Sequence, residues 1–194
     1  MPILRVAKVI GICASTGGPQ ALASILGALP ASFPIPVLVV QHISAGFTEG
    51  LAHWLDGAVA LPVQLAQSGV QADAGVWLAP DGAHLTMGPS GELLLDDTTN
   101  NGPHRPSGDV LLRSLAASAG KGTASVVLTG MGHDGAEGSR AVRQAGGLTI
   151  AQDEASSVIY GMPRAATAFG VDLVLPLAEI GPELAALSVL EVAR

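Results

Sequence analysis

Short apolar runs rich in β-branched residues recur along this chain, and most are followed by a stretch with helical spacing. That alternation constrains the fold more than any other feature. Residues 6–12 form one such run; Leu22, Ile25, Leu26 and Leu29 then fall at i, i+3, i+4 and i+7 between Pro19 and Pro30, one stripe of a helix. Residues 36–41 read as a second buried strand and 47–55 as a helix with Thr48 as its N-cap. Further on, 107–119 reads as a helix with Ser107 and Asp109 at its start and Gly120 just past its end. Strands at 124–128, 148–151 and 172–175 alternate with helices at 135–145, 163–169 and 177–190. Strands covered on both faces and separated by helices predict an α/β fold, a mostly parallel, doubly wound sheet with helices on both faces. The middle differs: 63–66, 76–79, 84–87 and 92–95 are short strand candidates, and Gly88-Pro89-Ser90-Gly91 reads as a hairpin turn. This stretch is expected to form an antiparallel β-hairpin extension at one edge, followed by a polar loop over 96–106.

Only 13% of the 194 residues are charged, about half the usual share, as befits a chain that is mostly buried strand, packed helix and tight turn. With no internal repeat or low-complexity linker, residues 1–194 are expected to form a single domain. A net charge of -7 and few aromatics (Phe 3, Trp 2, Tyr 1) leave no basic stripe and no stacking platform, which argues against nucleic acid. No apolar run approaches the roughly 18 to 20 residues that span a bilayer, so membrane insertion is not expected. Residues 9–14, after Arg5 and Lys8, are too short for a signal-peptide core of about 7 to 15 residues. The single cysteine, Cys13, excludes an internal disulfide and fits a reducing cytoplasm.

In open α/β sheets, ligands bind beyond the carboxyl ends of the strands. The first strand runs into Ser15-Thr16-Gly17-Gly18-Pro19 and straight on to a helix. A serine on such a turn exposes its Oγ, and the backbone N–H groups that follow can stabilise an oxyanion; the same string also suits a phosphate cradle or a purely structural glycine turn. The second strand ends in Gln41-His42, where an imidazole could serve as general base to Ser15 or as a hydrogen-bonded structural residue. The third end is Thr129-Gly130-Met131-Gly132-His133-Asp134-Gly135, in which Asp134 could hold the tautomer of His42 or simply cap the helix it opens. Together these place Ser, His and Asp on three strand ends of one sheet, as a hydrolytic triad requires.

The string Ala14-Ser15-Thr16-Gly17-Gly18-Pro19, then Gln41-His42 with Phe47-Thr48 and Leu51-Ala52, closely resembles the catalytic domain of the chemotaxis protein-glutamate methylesterases, the CheB family. Further matches are Ala79-Pro80-Asp81-Gly82 with His84, Arg105-Pro106-Ser107 with Asp109, Leu128-Thr129-Gly130-Met131-Gly132 with Asp134-Gly135, Ala151-Gln152-Asp153-Glu154, and Tyr160-Gly161-Met162-Pro163. The resemblance implies a triad of Ser15, His42 and Asp134, with the backbone N–H of Met131, and Thr16 beside the nucleophile, binding the oxyanion. It implies a cytoplasmic enzyme whose substrates are γ-methyl esters of glutamyl side chains in the cytoplasmic region of chemoreceptors, with deamidation of receptor glutamine as a second activity. A related hydrolase acting on another ester or amide, or a non-catalytic receptor-binding module, would be the alternatives.

Cys13 stands where the family usually has Gly, Gly108 where a β-branched residue is common, and Ile43-Ser44 where Met-Pro is usual. Typical members carry a phospho-receiver domain before the catalytic domain; only about eight residues precede the first strand here, so the expectation is a catalytic domain without a receiver. His53, His84, His104 and His133 show no metal-ligand spacing, and neither metal nor cofactor is expected. His84 could shape the cleft or be a hydrogen-bonded strand residue, and His133 is expected in solvent. Asp153 and Glu154 read better as loop-ordering residues than as an acid/base pair, and Cys13 as a small buried hydrophobe rather than a nucleophile. Trp54 and Trp77 are expected in the core. Arg105 and Arg113 could attract an acidic receptor segment or merely solvate the surface.

Overall fold

The computed structural model describes residues 7–98 and 104–188. Arg5 and Val6 at the start, residues 99–103 of the polar loop, and residues 189–190 of the expected terminal helix lie outside the described residues. The elements run β1 (Val9–Ala14), α1 (Gly18–Gly27), β2 (Val37–Gln41), α2 (Thr48–Ala58), β3 (Val63–Leu65), β4 (Val76–Leu78), β5 (His84–Met87), β6 (Leu93–Asp96), α3 (Gly108–Ala119), β7 (Thr123–Val127), α4 (Ala136–Gln144), β8 (Leu148–Gln152), α5 (Met162–Ala168), β9 (Leu173–Leu175) and α6 (Leu177–Ala186).

Seven strands form one sheet in the order β3-β4-β2-β1-β7-β8-β9, and every neighbouring pair is parallel. Strand alternation divides the apolar side chains between two layers. Ile10, Ile12, Val37, Val39, Ala124 and Val126 pack under α1, α2 and α6, whereas Val9, Cys13, Leu38, Val40 and Val127 pack under α3, α4 and α5. Burying a Leu, Ile or Val fully is worth about 1.5–3 kcal/mol; the polar residues buried within the central strands, Thr123, Ser125 and Thr149, are each hydrogen-bonded.

The expected antiparallel hairpin is present as β5 and β6, with His84 opposite Asp96 and Met87 opposite Leu93. It is a two-stranded sheet of its own, held against α3 through Leu85 and Leu93 in the core and by the Met87 N–H donating to Ser114 Oγ at 3.1 Å. The first half of the middle region departs from expectation, because β3 and β4 join the main sheet as parallel edge strands. Three-residue apolar runs carry no mark of direction; α2 and the helix-free connection 66–75 return the chain to the same end of the sheet each time, and so impose it.

Thr48 is not an N-cap. It is the first residue of α2, and the residue before it, Phe47, carries no capping side chain. Its hydroxyl donates instead to Asp81 Oδ1, while the Gly46 N–H donates to Asp81 Oδ2 at 2.7 Å. A carboxylate from the β4–β5 turn therefore holds the loop that follows His42, near the positive end of α2. Asp81→Ala is expected to destabilise the protein by about 1 kcal/mol, the cost of a lost cap. An unchanged urea midpoint in Asp81→Ala would show that the contact contributes nothing.

Candidate active site

Ser15 lies one residue past β1 and His42 one residue past β2, on strands paired with Ala14 opposite Gln41. The ladder continues beyond them: the Ser15 N–H donates to the Thr129 carbonyl at 3.0 Å and the His42 N–H to the Ala14 carbonyl at 2.9 Å. Two buried glutamines fix the strand ends. Gln41 Nε2 donates to the carbonyls of Ser15 at 2.9 Å and His42 at 2.8 Å. Gln152 Oε1 accepts from the Thr129 N–H at 2.8 Å, and its Nε2 donates to the Ser156 carbonyl at 2.8 Å. Gly130 completes the frame, since a Cβ there would lie 2.6 Å from Ser15 Cβ and 2.4 Å from Met162 Sδ. Only glycine lets the β7 loop pass so close to the serine.

Asp134 precedes α4 but does not cap it; the residue before that helix is Gly135, without a capping side chain. Its carboxylate is bound by the start of α3 instead. Oδ1 accepts from Ser107 Oγ at 2.8 Å and the Asp109 N–H at 3.0 Å, and Oδ2 accepts from the Gly108 N–H at 2.6 Å. Ser107 is the cap of α3, its Oγ also accepting from the Val110 N–H. Burial pushes the Asp134 carboxyl up, but the hydrogen bonds from His42, Asp109, Gly108 and Ser107 outweigh it and hold it well below the usual carboxylate range. Oδ2 also meets His42 Nε2 at 2.8 Å. An ionised carboxylate can only accept, so Nε2 carries the proton, and in the neutral ring the lone pair is on Nδ1. That atom is buried and, among the described residues, has no hydrogen-bond partner.

The five residues singled out for chemistry thus differ in what holds them. Ser15, His42 and Asp134 converge on the carboxyl edge of the sheet, with His42 Nε2 joined to Asp134. Thr16 lies beside Ser15, its carbonyl held by Thr129 Oγ1 at 2.9 Å. Met131 follows Gly130 and is 76% exposed.

His104 was not singled out as a site residue by the sequence, yet its ring stacks on that of His42, with centroids 4.1 Å apart and planes 14° apart. Stacking leaves no spacing signature; the only available signal was its place just before Arg105-Pro106-Ser107, the segment that delivers Ser107 to Asp134. Burial lowers the His104 pKa first, and the neighbouring His42 charge lowers it further. An NMR titration should therefore place His104 below the ordinary histidine value of about 6.5, with part of the shift recovered in His42→Ala. A midpoint at or above the ordinary value would contradict this environment.

The other weighed residues resolve mostly as the blander readings. His84 is buried, and its Nδ1 accepts the Ser107 N–H at 3.2 Å, so it supports the serine that binds Asp134. His133 is exposed. Asp153 Oδ1 accepts from the Ser156 N–H at 3.0 Å, ordering its loop. Arg105 Nη1 donates to the Asp97 carbonyl at 2.6 Å, and Arg113 lies 4.0 Å from Glu137. Burial, then the charges of Asp134 and Asp109, push the Cys13 thiol well up, leaving it unsuited to nucleophilic attack. Trp77 is buried, its Nε1 donating to the Asp73 carbonyl at 2.9 Å. Trp54, expected in the core, is instead 47% exposed, because the buried stripe of α2 runs through Leu51, Ala52 and Leu55. No helix among the described residues is long and apolar enough to cross a membrane.

Comparison with known proteins returns one family, CheB methylesterase, matched over residues 10–184. The protein-glutamate methylesterase FrzG of Myxococcus xanthus is 50% identical over 177 residues, 90% of this chain and 53% of that protein. A protein-glutamate methylesterase/protein-glutamine glutaminase of the same species is 49% identical over 178 residues, 91% of this chain and 49% of that protein. The chain spans about half the length of these curated relatives. Among solved structures, the CheB methylesterase catalytic domain of Thermotoga maritima superposes with a TM-score of 0.89 at 38% identity, over 93% of this chain and 98% of that one.

Proposed function

The chain belongs to the CheB methylesterase family, and on that premise we propose that it hydrolyses glutamyl γ-methyl esters in the cytoplasmic region of chemoreceptors, with Ser15 as nucleophile. In this reading Ser15 Oγ attacks the ester carbonyl carbon and gives its proton to His42 Nδ1. The negative charge moves to the carbonyl oxygen, where the backbone N–H groups of Thr16 and Met131 receive it. Collapse expels methoxide, which takes the proton from Nδ1 and leaves as methanol. Water then attacks the acyl-enzyme, giving one proton to the same nitrogen, and Ser15 takes that proton back as the glutamic acid departs and ionises, its remaining proton passing to solvent. Asp134 keeps Nε2 protonated and balances the imidazolium in both halves of the cycle. A glutamine side chain would follow the same route with ammonia as leaving group, an activity included in the printed name of one relative. As the receptor region concerned is cytoplasmic, so is the enzyme's place of work.

The observation that carries this reading is the state of the imidazole: one nitrogen bonded to a strongly ionised carboxylate, the other buried and unpartnered on the strand next to Ser15. Incubating the 194-residue chain with receptor carrying labelled methyl esters should release labelled, volatile methanol. Hydrolysis of simple esters without release from receptor would overturn the substrate assignment while leaving the serine chemistry in place.

A further inference from the structure

Two helix starts face each other beneath the Asp134 carboxylate, and Cys13 lies between them. Strand alternation sends its side chain to the α3–α4 face of the sheet, where it is fully buried. A Cβ at Gly108, the first residue of α3, would lie 2.5 Å from Cys13 Sγ and 2.9 Å from Cys13 Cβ. One at Gly135, the residue before α4, would lie 3.1 Å from Cys13 Cβ and 3.3 Å from Sγ. These distances fall inside the roughly 3.5–4.0 Å at which carbon atoms pack, so the cysteine fills the space that two absent side chains leave. The Gly108 N–H donates to the same Asp134 oxygen that receives His42 Nε2, at 2.6 and 2.8 Å respectively. How closely α3 approaches β1 therefore decides where that carboxylate rests, and with it the imidazole.

We propose that Cys13 is a positioning residue for the Asp134–His42 pair: its volume sets the approach of α3 to β1, and residues 13 and 108 share one fixed volume that either can hold but not both. The proposal rests on reading Ser15, His42 and Asp134 as a triad. It uses the size of the cysteine and not its thiol chemistry, consistent with a thiol that burial keeps protonated.

The test is a cycle of wild type, Cys13→Gly, Gly108→Ala and the double variant, followed by methanol release and by thermal melting. Gly108→Ala should lower kcat about 100-fold, the cost of displacing a catalytic group by an ångström or so, with KM little changed. Adding Cys13→Gly should restore kcat about tenfold or more, again with KM little changed, since neighbouring residues that share space are non-additive. Cys13→Ser, close to the cysteine in shape, should keep kcat within about threefold, while its hydroxyl, buried among apolar groups, lowers the melting temperature. A double variant no better than Gly108→Ala overturns the proposal, as does a Gly108→Ala protein that melts lower yet keeps its kcat. Should Gly108→Ala fail to fold, a double variant that folds supports the shared volume and one that does not refutes it. Ser15→Ala separates the premises: wild-type methanol release from it ends the triad reading, while the melting arm still reports whether residues 13 and 108 share space.

Discussion

Ser15→Ala protein should fold and melt like wild type while its methanol release falls by about four orders of magnitude or more. Ser15 is half-buried and its backbone bonds, to the Thr129 carbonyl and from Gln41 Nε2, survive loss of the hydroxyl. The expected size follows from nucleophile removal in triad hydrolases, where only the oxyanion site and substrate binding remain, leaving roughly 10³–10⁴ over water. A single-turnover assay sharpens the result, because wild type should trap label from an acyl-labelled substrate on Ser15 and the variant should trap none. Undiminished turnover in Ser15→Ala would sink the serine mechanism, and with it the role assigned to His42 Nδ1.

Asp134→Asn should be nearly as damaging to catalysis and far more damaging to stability. Four donors converge on two oxygens: Ser107 Oγ, the N–H groups of Gly108 and Asp109, and His42 Nε2. An amide offers one oxygen and turns an NH₂ toward donors on the other side. If that oxygen stays on the start of α3, the NH₂ faces His42 and selects the wrong tautomer, a change worth roughly 10⁴ in kcat in the chymotrypsin-type triad. If it turns to His42 it also keeps the Gly108 N–H, and the two donors on the other side, Ser107 Oγ and the Asp109 N–H, lose their acceptor, at about 1–3 kcal/mol each. The pH dependence has a definite sign. Because the folded-state pKa is depressed, the carboxylate's contribution to stability is fully present above about pH 4, the unfolded value, and is lost as pH falls toward the folded one. The gap in unfolding free energy between wild type and Asp134→Asn should therefore shrink as the solution is acidified below about pH 4. A constant gap would mean that folding leaves the Asp134 pKa where it is in the unfolded chain.

Much of this was legible in the residue pattern, for reasons particular to each element. Strands β1, β2, β7 and β8 are short, mostly apolar runs buried on both faces, and a strand of that kind belongs inside a parallel sheet. Their ends were then the natural places to look for Ser15, His42 and Asp134. The parallel setting of β3 and β4 was not legible, because it follows from connections whose sequence has no helical or turn signature strong enough to give direction. The partners of Asp134 were hidden for a different reason. A residue just before a helix reads as that helix's cap, and here its carboxylate belongs to a helix that begins 26 residues earlier, at Gly108. His104 was hidden too, since ring stacking across a fold obeys no spacing rule. Trp54 was misplaced because an isolated tryptophan was assigned by residue type rather than by its place outside the stripe of α2.

Sheet order has a consequence for how the active state is reached and lost. β1 is flanked by β2 on one side and β7 on the other, so that Val9 pairs with Thr123, more than a hundred residues away. Contacts of such long range are slow to form because the loop must close before any contact rewards it. His42 and Asp134 arrive from opposite sides of that junction, so neither half of the chain contains a working imidazole–carboxylate pair. Activity is therefore a late event in folding and an early casualty of partial opening. During gentle denaturation it should vanish with the β1–β7 pairing, and hydrogen exchange at Leu128, whose N–H donates to the Cys13 carbonyl across that pairing, should report the same event.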